Sequence, residues 1–505
     1  MKNASIFKST ILCCVVLSVI LDGTKQATAQ MIGTGSFHSM VLCPADSMVR
    51  AWGGNSNGQL GVNDTNEYHH PLLVKGPGGS GNLTGVVAIV ARENFSLALK
   101  GNGTVWGWGF NADGELGDHT TADKWAPVQV HGAANVGFLS GITAISGGYT
   151  HVLALKNDST VWAWGDNTNG ELGNNATMND STPVQVMGPG GVGNLNHVVA
   201  IAAGQFISFA LKNDGTVWAW GNNGNGAIGD NTTTERHTPV QVHGPLGVGF
   251  LTGITALAAG GGHVLALKND NTVWSWGENV NGELGNNTIF ADSVPAEVLG
   301  PGGTGHLSGI VKINAGDYFS AGIKTDGTVW IWGYNGFGQL GQNDTTESNT
   351  PVEVHGAANV GFLNSVVALS LGDEHAIAMK SDNTFWAWGW NGNGQLGDNS
   401  ITDRYFPVAV MSPCSVTSGV PVATVNKQID LFPNPANRQI TIVNNEENTE
   451  LIEIYNMLGE KVYRSEYKSR QLLTTIDISD FPTGLYVARI KTANGTMNQK
   501  FVVEK

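Results

Sequence analysis

Thr216-Val217-Trp218-Ala219-Trp220-Gly221-Asn222-Asn223-Gly224-Asn225-Gly226-Ala227-Ile228-Gly229 is the stretch on which the fold turns. Its Trp-Gly step recurs at Trp52, Trp108, Trp164, Trp220, Trp276, Trp332 and Trp388, each 56 residues after the last, and opens the pattern W-G-x-N-x-x-G-x-[LI]-G. Around the fourth copy, residues 198–202, 208–212, 216–220 and 239–242 read as strands. Four strands per repeat of about 50 residues mark a propeller blade. Seven copies therefore predict an all-β chain whose main body is a seven-bladed β-propeller.

In the third strand Trp218 and Trp220 share one face while Val217 and Ala219 share the other, so both faces are apolar and must be covered. Stacking blades around an axis does this, and the Trp pairs are read as core between blades. Asn-Gly or Asp-Gly stands at the following bend in six of the seven copies, supplying the positive φ a tight turn needs. Sixty-nine glycines, fifteen tryptophans and only 13% charged residues suit short strands and tight turns better than helices.

Gly148-Tyr149-Thr150-His151-Val152-Leu153-Ala154-Leu155, followed by Trp164 to Gly173, carries the combination G-x-x-H-x-x-A-L and W-G-x-N-x-x-G-x-L-G. The repeats from 31 to about 412 thereby resemble the regulator-of-chromosome-condensation repeat family. The resemblance implies the propeller and leaves the function open, since the family's namesake acts in guanine-nucleotide exchange on a Ran-type GTPase. A two-blade period lies over the repeat: His38, His151, His263 and His375 in odd copies give way to Phe95, Ile207 and Phe319 in even ones. With seven blades this alternation must break at closure, where two odd blades meet.

The two ends carry their own signals. Lys2 and Lys8, the apolar run Ile11 to Leu21 and Ala27-Thr28-Ala29 read as a signal peptide over residues 1–29. The run is about half the ~20 apolar residues of a spanning helix, so no membrane-spanning segment is expected. From about Lys427 tryptophan vanishes and alternating strands at 439–443, 451–455 and 486–490 predict a small, immunoglobulin-like β-sandwich. Leu431-Phe432-Pro433-Asn434-Pro435, Ile454-Tyr455-Asn456-Met457-Leu458-Gly459 and Gly484-Leu485-Tyr486-Val487 resemble the type A C-terminal sorting domain of the type IX secretion system. That likeness implies a Bacteroidota-type bacterium, passage through the periplasm, handling by the type IX machinery, and release or attachment at the outer-membrane surface. The expected division is signal peptide 1–29, propeller 30–412, linker 413–426 and sorting domain 427–505.

Chemistry is harder to find. From Gln30 to Cys414 there are 13 Lys+Arg against 30 Asp+Glu, a formal charge of −17 that opposes a nucleic-acid partner. Gly76-Pro77-Gly78-Gly79-Ser80-Gly81 fits G-x-G-x-x-G, but a strand follows where a dinucleotide site needs a helix, so no cofactor is expected. The four histidines sit on separated blades and read as structural hydrogen bonders, not as metal ligands; only His38 and His375 fall on adjacent blades. No catalytic motif stands out, and the aspartates read first as solvated loop residues. Asp158-Ser159-Thr160 and Asp292-Ser293-Val294 resemble a short O-glycosylation signal.

What escapes the repeat is the position after Trp-Gly: Gly54, Phe110, Asp166, Asn222, Glu278, Tyr334 and Trp390. Phe110, Asp166, Asn222, Glu278, Tyr334 and Trp390 are the candidate ligand-binding residues, because side chains freed from a repeat on loops are where a partner surface can form. The functional expectation is a monomeric, non-enzymatic binding propeller that holds a protein or glycan at the cell surface. Guanine-nucleotide exchange is the alternative, with an extracellular hydrolase or lyase behind it. Six equal spacings between the seven copies leave no inserted wedge for exchange, and no pair of carboxylates is singled out for hydrolysis.

Closure of the ring gives the last expectation. Ile32 matches Ile89 in register, so the first blade begins with an inner strand of about three residues, which Gly419 to Val425 could return to lengthen. Cys43 and Cys414 flank the seam between first and last blades, where a disulfide and two free thiols are both open readings. A disulfide there would be worth about 4 kcal/mol in the chain-entropy view.

Overall fold

Each of Trp52, Trp108, Trp164, Trp220, Trp276, Trp332 and Trp388 is fully buried. Each indole N–H reaches back to the preceding blade: Trp220 donates to the Glu171 carbonyl at 2.7 Å and Trp108 to that of Gln59 at 2.9 Å. The glycine that closes the previous blade's pattern permits this. Gly173 has φ 62°, and a Cβ there would lie 2.8 Å from Trp220 Nε1. Burying roughly 200 Å² of indole contributes about 5 kcal/mol per blade, so the repeated Trp-Gly both builds a blade and fixes it to its neighbour.

The computed structural model describes residues 30–44 and 46–414, and then 429–505 apart from 433–435, 445–448, 457–458, 467–472 and 493–494. The expected signal peptide, and residues 415–428 with the Gly419–Val425 segment, lie outside the described residues. The chain forms two compact units, before and after Val416. In the first, seven four-stranded antiparallel sheets follow one another, each made of four consecutive strands. Blade 1 is Ile32–Thr34, His38–Cys43, Met48–Gly53 and Tyr68–Leu73; blade 4 is Val198–Ala203, Ile207–Lys212, Val217–Gly221 and Arg236–Gln241; blade 7 is Val366–Leu371, His375–Lys380, Phe385–Gly389 and Arg404–Ala409.

Two details differ from the sequence reading. The outer strand of blade 4 is longer and begins earlier than expected; Pro239 is tolerated because an outermost strand needs no donor on its free side. The tryptophan pairs are not both core. Trp220 is fully buried, whereas Trp218 is half-buried and covered by the Lys212 ammonium 4.4 Å from its ring. Asp158 has a structural task, its carboxylate accepting from the Thr160 backbone and hydroxyl at the hairpin between second and third strands.

The histidines explain the two-blade period. His151 Nε2 lies 2.9 Å from Ser208 Oγ in the next blade, and His38 and His263 meet Ser96 and Ser320 in the same way. Each serine hydroxyl donates to a backbone carbonyl, as Ser208 does to Glu171 at 2.8 Å, so it must accept from the imidazole N–H. Burial drives all four imidazoles down to a pKa of about 3, which keeps them neutral. At the alternate interfaces the contact is apolar, with Phe95 in one cluster with Val152 and Ile207 with Val264. Polar and apolar interfaces thus alternate, and the seam makes two polar ones consecutive. Blade 1 resolves this by carrying both residues: His38 pairs forward with Ser96, while Ser39 receives His375 of blade 7 at 2.9 Å.

The seam is otherwise an ordinary interface with an added bond. Trp52 donates to the Gln395 carbonyl at 2.8 Å, and Thr34 Oγ1 lies 2.7 Å from Ser370 Oγ. The inner strand of blade 1 is three residues long. Cys43 and Cys414 are joined by a disulfide, their Cα atoms 5.3 Å apart.

The second unit is a β-sandwich. A three-stranded sheet (Ile429–Phe432, Gln439–Asn444, Leu473–Asp477) faces a four-stranded one (Lys461–Glu466, Thr449–Asn456, Gly484–Thr492, Gly495–Val503). Ile440, Ile442 and Ile476 from the first meet Ile452, Ala488 and Phe501 from the second.

Ser39→Ala should leave the His375 N–H buried without an acceptor and cost about 1–3 kcal/mol, the same as Ser208→Ala at an interior interface. Guanidinium unfolding curves of the two variants check this. A loss confined to Ser208→Ala would mean that the seam does not rely on the His375–Ser39 bond.

Candidate binding face

In each blade the loop after the inner strand and the loop after the third strand emerge at the same end of the axis, because the strands between them run antiparallel. The two loops are tied together. The residue after each Trp-Gly donates its N–H to the inner loop, as Phe110 does to Asn94 O at 2.9 Å, Glu278 to Gly262 O at 2.9 Å and Trp390 to Glu374 O at 2.9 Å. All six candidate residues therefore stand on one face. They are not equally available. Asp166 is only 7% exposed, with Thr168 Oγ1 donating to it at 3.2 Å. Asn222 donates to Asn169 Oδ1 at 3.1 Å, and Phe110 is half-buried. Glu278 and Asn222 border a small cleft of about 60 Å³ beside Phe206.

Tyr334 and Trp390 belong to something larger. Ring centroids run Tyr318–Tyr334 6.3 Å, Tyr334–Phe337 6.4 Å, Phe337–Trp390 6.1 Å and Trp390–Phe37 5.7 Å, an unbroken aromatic arc across blades 6, 7 and 1. Phe37 and Tyr318 at its ends remain 37% and 36% exposed. A second aromatic contact, Tyr149–Phe206 at 6.2 Å, stands on blades 3 and 4.

At the centre the inner strands enclose a channel of about 540 Å³. Its loops are strung head to tail: Tyr149 N–H donates to Gln205 O, Gln205 to Gly260 O, Gly261 to Asp317 O and Asp317 to Gly372 O, all within 3.1–3.3 Å. Backbones this close exclude side chains. A Cβ on Gly316 would lie 2.5 Å from Gly372 O, and one on Gly372 would lie 2.6 Å from Gly35 O. Blade 2 breaks the ring, having Arg92 where the other six have glycine. Its side chain crosses the axis, Nε donating to Gly147 O at 2.9 Å and Nη2 to Ala203 O at 3.1 Å and Ala259 O at 3.0 Å, so one residue spans blades 2 to 5.

Above this guanidinium stand carboxylates from several blades. Asp317 is 5% exposed, and burial pushes its carboxyl up against the opposing help of the Tyr149 and Tyr318 hydroxyls and Arg92. Asp373 is raised by burial and by Asp317, and Glu93, Glu278 and Glu374 by burial and then by Asp317 or its neighbours. Burial and the nearby Asp373 and Asp317 drive the Tyr149 hydroxyl far up. The expectation that aspartates are solvated loop residues fails here, because the ring of glycines draws these loops together at the axis.

The sequence reading missed Arg92, Asp317, Asp373 and Phe337. Each had a signal of the kind that exposed Trp390. Phe337 is the one residue that replaces Asn or Asp at the Asn-Gly bend, Arg92 the one that replaces the loop glycine, and Asp317 and Asp373 occupy a position that reads Ser36, Glu93, Tyr149, Gln205 and Gly261 elsewhere.

Comparison with known proteins agrees with this architecture. The Regulator of chromosome condensation (RCC1) repeat profile matches seven times between residues 48 and 425, and a Secretion system C-terminal sorting domain profile matches residues 430–504. The chain is 28% identical over 380 residues to the Ultraviolet-B receptor UVR8 of Arabidopsis thaliana, covering 75% of this chain and 80% of that protein. It is 28% identical over 352 residues to the E3 ubiquitin-protein ligase HERC2 of Homo sapiens, covering 70% of this chain but 7% of that protein. Among solved structures, human WBSCR16 superposes with a TM-score of 0.59 at 23% identity, covering 71% and 92% of the two chains. Prp20p of Saccharomyces cerevisiae gives 0.58 at 19%, covering 76% and 86%. The sorting domain makes this a secreted or cell-surface chain handled by a dedicated secretion machinery. Among the described residues no helix is long and apolar enough to cross a membrane.

The crowding of carboxylates at the axis has a stability consequence. A carboxyl whose folded pKa is raised above its unfolded value destabilises the fold at high pH, and that penalty fades as pH falls to about 4. Asp317→Asn should therefore raise the thermal midpoint at pH 8, with a gain that shrinks steadily toward pH 4. Calorimetry across that range is the check, and a lowered midpoint at pH 8 would show Asp317 to be a structural residue.

Proposed function

This chain belongs to the Regulator of chromosome condensation (RCC1) repeat family, and on that premise we propose that it is a secreted binding module that holds a protein or glycan on the axial face of its propeller. One observation carries the reading: the blades repeat closely in their cores, while the axial face breaks the repeat with a continuous aromatic arc beside recessed carboxylates. Aromatic side chains that keep exposed area on a rigid scaffold are the usual anchors of binding surfaces. The formal charge of −17 on residues 30–414 argues against a nucleic-acid partner.

The organism proposed is a Bacteroidota-type bacterium. A signal peptide at 1–29 would direct the chain to the periplasm, and the domain at 427–505, joined by a linker at 413–426, would carry it to the surface before removal. The propeller at 30–412 would then act as a non-enzymatic monomer.

Binding to a glycan array and to immobilised surface proteins, with the purified secreted protein, tests the reading. Trp390→Ala and Tyr334→Ala should each weaken the ligand found by about 2 kcal/mol, roughly thirtyfold in Kd. Phe250→Ala, at an exposed position between one blade's outer strand and the next blade's inner strand and so on the opposite face, should leave it unchanged. Loss on Phe250→Ala with full binding by the other two would place the site on the opposite face.

A further inference from the structure

Asp317 Oδ1 and Ser36 Oγ are buried at the axial mouth without a hydrogen bond of good geometry, although the Tyr149 and Tyr318 hydroxyls lie near the Asp317 carboxylate and the Ser36 hydroxyl lies near that of Asp373. The residues are 5% and 3% exposed. Buried carboxylate oxygens are rarely left unpaired, because desolvation then goes uncompensated. The backbone makes room for this one. A Cβ on Gly261 would lie 2.1 Å from Asp317 Oδ1, so the carboxylate extends over a position kept free of any side chain.

The charge around it is unbalanced. Asp373, Glu93, Glu278 and Glu374 reach the same mouth from blades 7, 2 and 5. Arg92 faces them, but its Nε and Nη2 protons are committed to the carbonyls of Gly147, Ala203 and Ala259. Only the Nη1 of that guanidinium is left to face five carboxyls, so the mouth lacks a second cation. Among the described residues no group of three or more His, Cys, Asp or Glu is placed to hold a metal ion. Tyr149 and Tyr318 come to the same carboxylate through their hydroxyls, and carboxylates combined with aromatic rings suit an ammonium or guanidinium group. The recess of Asp317 sets the shape, since the charge must arrive at the tip of a slender chain.

We infer that the axial mouth is a socket for one lysine or arginine side chain presented by a protein partner, with its cationic head on Asp317 and Ser36 and its stem between the rings of Tyr149 and Tyr318. This inference rests on the axial-face reading and names the occupant. The aromatic arc then flanks the socket and takes the partner's apolar surface.

Selection of a random-peptide phage library on the full secreted protein tests it, with the enriched peptides synthesised as probes. The winning peptides should share one Lys or Arg. Replacing it by norleucine or citrulline should lower affinity roughly tenfold or more, the scale of a charge-assisted pair. Asp317→Asn should cause a similar loss that does not add to the first in a double-mutant cycle. Asp326→Asn, an exposed carboxylate on the opposite face, controls for bulk acidity and should change affinity little. Equal losses in Asp326→Asn and Asp317→Asn would reduce the effect to bulk charge and overturn the socket. Winners without a shared cation that still depend on Trp390 overturn the socket and leave the axial face standing, as would glycans lost on Trp390→Ala when no peptide is enriched. Winners indifferent to both Trp390→Ala and Asp317→Asn overturn both readings.

Discussion

The indole that crosses from each blade to the one before it is the contact on which the rest of the structure depends. A four-stranded blade with two apolar faces has no stable existence alone, and the buried tryptophan supplies its largest apolar contact with the neighbour together with a directional bond, such as Trp220 to Glu171 O. Because the bond is directional, every blade is set at the same angle to the last. Seven such steps close the ring, and the seam repeats the contact through Trp52 and Gln395. The four strands of blades 1 and 7 each come from one stretch of chain, so closure relies on side chains, on the Asn399 N–H bonded to His69 O at 3.0 Å, and on the Cys43–Cys414 bond.

The second layer of order is polar. Burial keeps each imidazole neutral, and the His–Ser pairs bond its Nε2 at alternate interfaces while Nδ1 goes without a partner. An odd number of blades cannot alternate perfectly. The mismatch falls on blade 1, where adjacent His38 and Ser39 serve two different neighbours. Such a solution lets a chain with a two-blade period close as seven.

Regularity in the core frees the axial face to vary. Glycines hold the inner loops so close that whatever side chains remain are forced together, and five carboxyls, one guanidinium and two tyrosines meet there. The same closeness explains why the carboxyls are raised: they share a small, partly dry volume with little counter-charge. The aromatic arc on blades 6, 7 and 1 lies across the seam, so the disulfide and the His375–Ser39 bond steady the floor beneath it.

The sequence by itself determined the number of blades, their four-stranded make-up and the loop on which the variable residues stand. It could do so because alternation of period 2 and the glycines of the Trp-Gly turns are local properties, and a 56-residue repeat states them seven times. The fate of Trp218, half-covered by Lys212, was not legible, since exposure depends on how far the neighbouring blade overlaps it. Nor was the axial mouth. Arg92 touches residues 55, 111 and 167 positions away, and its nearness to Asp317 and Asp373 follows from the curvature of a closed ring, which no spacing along the chain records. Local pattern fixed the blades, and only closure of the ring decided which of their odd residues meet.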